Sequence, residues 1–87
     1  MDVHCLPYRG LGVLVRINKH KCASVNGSEP RYGVSWFLHK EGPFVSANVI
    51  ASSTEPVNFV SAEEAARFAE QRAHSFADCT FVARERV

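Results

Sequence analysis

Histidine and cysteine carry the widest chemical reach in this chain, four of the first and three of the second in 87 residues. They stand as His4-Cys5, His20-Lys21-Cys22, and singly as His39, His74 and Cys79. Imidazole and thiolate are the donors zinc takes in tetrahedral sets. Local zinc pairs leave two to four residues between cysteines, or three to five between histidines, so that both donors reach one side of a knuckle or helix turn. Adjacent His-Cys cannot do this comfortably, and His-x-Cys is not such a spacing. No metal and no cofactor are expected, with His20 and Cys22 kept as an alternative metal or thiol site. A nucleophilic cysteine needs a neighbouring cation or a helix N-terminus to lower its pKa. Cys22 has Lys19, His20 and Lys21 beside it. Cys5 lies in an irregular lead-in, and Cys79 near a helix C-terminus, where the dipole opposes a thiolate. No catalytic residue is assigned, and the chain is expected not to be an enzyme.

Other constellations fail on context. Glu63 and Glu64 are adjacent on a helix and point about 100° apart, and a capping role explains Glu64. Gly10-Leu11-Gly12 precedes a strand rather than opening a helix, so it is no phosphate loop.

Ten Lys and Arg against nine Asp and Glu leave a net charge of +1. That balance argues against bulk attraction to duplex nucleic acid or an anionic membrane. A chain this short buries only about 60–65% of its unfolded surface, which leaves little core to spend on a large catalytic cleft. No apolar run approaches the ~20 residues of a membrane span. Asp2 and Pro7 sit where a secretory signal would need a base and an apolar run. Three cysteines suit free thiols better than a disulfide framework, so a cytoplasmic setting is expected.

The elements that must position these residues follow from periodicity, within a single small domain over 1–87. Residues 1–10 lack it and read as an irregular lead-in. Leu11 to Asn18 reads as a strand, with Leu11, Val13, Val15 and Ile17 on one face. Gly12, on the other face, marks a bulge or a close backbone approach. Residues 19–30 read as a long loop containing the turn pair Asn26-Gly27. Arg31 to His39 alternates again, with Tyr32, Val34, Trp36 and Leu38 facing the core. After a turn at 40–43, a third strand is expected from Phe44 to about Ala51, and residues 52–56 read as a polar loop. Ser61 followed by Glu64 forms a capping box, which opens a helix from Ala62 to about Ala83. A terminal strand at 80–84 is the alternative. The fold class is therefore α+β: a three-stranded antiparallel β-meander packed on one face by a C-terminal helix, β-β-β-α.

A meander followed by a helix is also similar to part of the double-stranded-RNA-binding fold. That fold begins with a helix and starts its last helix with lysines, where this chain has Ala62-Glu63-Glu64. Arg16, Lys19, Lys21 and Arg31 form the one basic patch, and they define an alternative reading as a weak nucleic-acid binder.

Tyr8-Arg9-Gly10 before a Val-rich strand, Ser35-Trp36 on the next, and Phe59-Val60-Ser61-Ala62-Glu63-Glu64-Ala65 entering an Ala-rich helix carry a further resemblance. The layout resembles small bacterial proteins of a family without an assigned activity, built as a β-meander plus one C-terminal helix. The likeness implies a stand-alone bacterial accessory protein and no ligand. The expected function is a non-enzymatic interaction module whose partner is a protein or a second copy. Contact is expected through a second, apolar sheet face (Leu14, Phe37, Phe44), a sheet edge, or the 19–30 loop. Nucleic acid, membrane and small-molecule partners are not expected.

Overall fold

The computed structural model describes residues 1–24 and 27–85; for residues 22–24, 28 and 81–85 the backbone course alone is described. The class is α+β, with an antiparallel sheet and one C-terminal helix, but the sheet has four strands rather than three. They are β1 (Asp2–Tyr8), β2 (Leu11–Ser24), β3 (Gly27–His39) and β4 (Val49–Phe59), in the spatial order β1-β2-β3-β4. The helix α1 runs Ala62–Glu85, so the chain continues as helix through 80–84 instead of returning as a strand.

The extra strand is the segment read as an irregular lead-in. β1 pairs antiparallel with β2 from Asp2 opposite Arg16 to Tyr8 opposite Leu11, and its register shifts between Cys5 and Tyr8, around Pro7. Proline and a register shift are features of an edge strand, and they also erase its period-two signature. The turn to β2 has φ of 52° at Arg9 and 80° at Gly10. Two successive positive φ values belong to a type I′ hairpin, whose twist matches the strands it joins; glycine meets the second without strain.

The 19–30 loop is also corrected. β2 and β3 continue pairing through it, with Lys19 opposite Tyr32, His20 opposite Arg31 and Ser24 opposite Gly27. Of the expected turn pair Asn26-Gly27, Gly27 opens β3, and Asn26 lies with residue 25 outside the described residues. Polar residues hid the strands because neither β1 nor β4 pairs this far out, so no face demands burial. A 14-residue strand spans ~46 Å, which accounts for the molecule's longest dimension of 54 Å.

β4 begins five residues later than the expected third strand, after a one-turn 3₁₀ helix at Ser46–Asn48. Residues 52–56, read as a loop, are its centre. Serines, a threonine and a proline are what an edge strand tolerates.

One sheet face meets the helix. Val13, Val15 and Ile17 of β2 and Val34, Trp36 and Leu38 of β3 are buried there against Ala65, Ala69, Ala73 and Ala77. Four alanines at four-residue spacing form one methyl-lined stripe, so the helix lies close on β2 and β3. The Ser61 hydroxyl accepts the Glu64 backbone N–H at 3.1 Å, which makes the expected N-cap.

The opposite face is roofed by the 40–48 segment. Phe44 meets Phe37 edge-on at 5.3 Å and His39 at 5.5 Å. The Lys40 N–H donates to the Asn48 carbonyl at 2.8 Å, and the Asn48 side chain donates to the Pro43 carbonyl at 2.9 Å, closing the excursion on itself. The His39 Nδ1–H donates to the Lys40 carbonyl at 2.8 Å. His39 lies flat on Gly12: a Cβ at Gly12 would fall inside its ring. Gly12 is therefore the close backbone approach that its place in the strand announced.

Gly12→Ala should displace His39 and loosen this roof, costing about 1–3 kcal/mol as an overpacking change. Pairing it with His39→Ala should restore part of the loss. Urea midpoints of the three variants measure this, and an unchanged midpoint for Gly12→Ala contradicts the account.

Candidate functional site

The helix packs mainly on β2 and β3, and less on β4. A groove of about 610 Å³ opens between α1 and the β4 edge. That volume lies in the range of ligand sites, roughly 300–1,000 Å³. Trp36 of β3 and Phe76 of α1 form its apolar side, with ring centroids 5.5 Å apart. Ser53, Glu55, Arg72 and Cys79 also line it.

Glu55 is the unusual residue of this groove. Its side chain is only 7% exposed. A buried carboxylate requires hydrogen-bond donors to offset its lost hydration. The Trp36 indole Nε1–H donates to its Oε1 at 2.9 Å, inside the fold. The Arg72 Nε–H reaches the same oxygen at 3.4 Å. Arg72 itself is 59% exposed, and its guanidinium passes over the Phe68 ring at 5.8 Å. A carboxylate at the bottom thus orients a cation at the mouth.

None of these polar residues was singled out in the sequence. The available signal was Trp36: a buried indole N–H takes an acceptor, and Glu55 is the side chain that accepts it. The aromatic core expectation did hold for Trp36, which packs under Phe76. Phe68 pairs with Phe59, at 5.1 Å.

The sequence-chosen contact residues are placed differently. Leu14 is 1% exposed, and Phe37 and Phe44 are half-buried against one another. The second face is apolar as expected, but Leu14 is enclosed by the chain itself and is not a surface contact.

The basic residues do not form one patch. Arg16 and His20 lie on the roofed face of β2, with Arg31 opposite His20; Lys19 and Lys21 alternate onto the helix face. Arg16 makes two bonds to Asp2, at 2.9 and 3.1 Å, and lies 5.2 Å over Phe37. The hydrogen bond from Arg16 lowers the Asp2 pKa. Arg31 is bonded to Glu29 at 2.9 Å. Lys19 and Lys21 are exposed.

Among the described residues no three His, Cys, Asp or Glu side chains gather as a metal ligand set. His20 is exposed on the ribbon, and the Cys22 side chain lies outside the described residues. Cys5 faces the helix beside Glu70. Burial, reinforced by the hydrogen bond and charge of Glu70, pushes its thiol up to about 12. Tyr8 stacks on His74 at 3.9 Å and donates its hydroxyl to Asp78 at 2.8 Å, tying β1 to the helix.

No family model, no curated protein and no solved structure matches this chain.

The Cys5 environment fixes an alkaline pH response. The fold prefers the protonated thiol, whereas the unfolded chain releases the proton near the ordinary value of 9.0. Stability should therefore be intact below pH 9 and fall as pH rises towards 12. Cys5→Ala should show a shallower alkaline decline in urea midpoint than the parent protein. Identical alkaline slopes would contradict the placement of Cys5 against Glu70.

Proposed function

We propose that the protein is a small non-enzymatic interaction module, a bacterial cytoplasmic accessory protein. It takes an extended segment of a partner protein as a fifth strand on β4. The observation that carries this reading is the groove beside an open edge: β4 has a neighbour on one side only, and α1 stands back far enough to leave about 610 Å³ alongside it. An edge strand supplies backbone donors and acceptors that any extended peptide can meet, and an adjoining groove supplies the side-chain selectivity.

Several features support the edge over the other surfaces. Ile50, Val57 and Phe76 are exposed apolar residues of β4 and of the helix across from it. Leu14, on the roofed face, is 1% exposed. The sheet-edge bonds need no catalytic group, in keeping with the unreactive setting of Cys5. The nucleic-acid reading loses its basis as a compact patch, since two of its four residues are neutralised and the other two lie on the opposite face.

Trp36 is the chain's single tryptophan and stands in the groove, so its emission reports occupancy. Acetylated, amidated octapeptides of alternating Thr and Val, with Glu, Gln or Lys walked through each position, are the probe. At least one set should shift Trp36 emission in a saturable way. N-methylation of alternate peptide nitrogens, chosen on the bonding side, should abolish the shift. Binding that survives N-methylation on either side, or no saturable shift by any peptide at millimolar concentration, would refute docking on this edge.

A further inference from the structure

We propose that the groove recognises a carboxylate through Arg72, so that the docked segment presents an acidic side chain or its own C-terminus there. This rests on the edge-docking reading and adds the chemistry of the occupant.

The charges of the groove decide the sign. Glu55 and Arg72 are the acidic and basic side chains among the described residues of its lining. Glu55 is buried, and its Oε1 already receives Trp36 and Arg72. A cationic ligand would have to displace Arg72 to gain a close ion pair with it. Arg72 is the charge a ligand can reach, being 59% exposed.

Its geometry suits an anion. Arg72 is held at Nε, the inner edge of the guanidinium, by the 3.4 Å bond to Glu55. That bond uses one donor of five; among the described residues the Nη groups meet no other protein acceptor, and two parallel N–H donors match the two oxygens of a carboxylate. A carboxylate docked there displaces no protein bond. Hydroxyl groups of Ser53 and Ser75 line the same groove and can add hydrogen bonds.

The neighbouring wall is apolar. Phe76 is 45% exposed at the groove and tilts against Trp36. In an extended peptide, alternate side chains fall on the same side about 6.5–7 Å apart. One such pair, an acidic residue at Arg72 and an apolar one at Phe76, is a recognition unit that the groove can hold.

The octapeptide sets test this directly by Trp36 emission. A set with internal Glu should bind at least about tenfold tighter than the same set with Gln, the size of a charge-assisted bond; the Lys set should bind no better than the Gln set. A parallel set that keeps a free C-terminus in place of the amide separates a terminal carboxylate from a side-chain one. In Arg72→Gln the acidic advantage should vanish while the Gln peptides bind as before, and Arg72→Lys should recover part of it. Thermal melts of both variants near that of the parent protein show that the fold is kept.

Equal binding of acidic and neutral peptides, with amide and free termini alike, would overturn the carboxylate assignment and leave edge docking standing. An acidic preference that persists in Arg72→Gln, or a preference for Lys, would also overturn it. Failure of every peptide to bind would remove both proposals.

Discussion

The contact between the alanine stripe of α1 and the β2–β3 face is the constraint from which the rest of the structure follows. Ala65, Ala69, Ala73 and Ala77 present methyl groups where larger residues would hold the helix away. Close packing concentrates the helix on the two central strands. It leaves room along β4 and gathers the larger aromatics at the flanks, Phe76 against Trp36 and Phe68 against Phe59. The groove is the consequence of a helix whose narrow face fits two strands of a four-stranded sheet.

Within that geometry Glu55 is an exception to the apolar interior. A carboxylate taken out of water is costly unless donors replace its hydration. The indole of Trp36 supplies one donor from the core and Arg72 supplies another from the solvent side. The two are unequal: 2.9 Å and buried, against 3.4 Å and part-buried. The first, shorter bond anchors the acid, and the second reaches it from a side chain that is 59% exposed. Arg72 is thus held in direction more than it is held in place.

The legible part of the sequence was what burial patterns directly. Val13, Val15 and Ile17 recur at period two because one face of β2 is core, and Trp36 and Leu38 do so on β3. Ser61 and Glu64 announced the helix start, and the helix end near 83–85 followed from the lack of a Gly or Pro stop. The strands that went unread were those where burial is partial or polar. β1 is an edge broken at Pro7, β4 is polar across Ser52–Thr54, and the outer ribbon of Lys19–Ser24 stands beyond both neighbours. Periodicity reports apolar burial, and a strand that buries few apolar side chains carries little of it. Phe44 misled in the opposite way. Its apolar character suggested a strand, whereas it roofs Phe37 and His39. The groove was illegible for the same reason as β4, since Glu55 and Arg72 are 17 residues apart and meet only once β4 is placed at the edge.

The central claim, that β4 is an open edge which receives an extended acidic segment, is met most directly by amide hydrogen exchange. Backbone amides would be followed residue by residue by NMR, without peptide and with the Glu-containing octapeptide. In the free protein the outward amides of Val49–Phe59 should exchange rapidly while those directed at β3 are protected. With peptide, the outward amides flanking Glu55 should become protected together, with little change in the 40–48 roof or the outer ribbon. Protection appearing on the roof or ribbon while the outward β4 amides exchange as before would contradict the account.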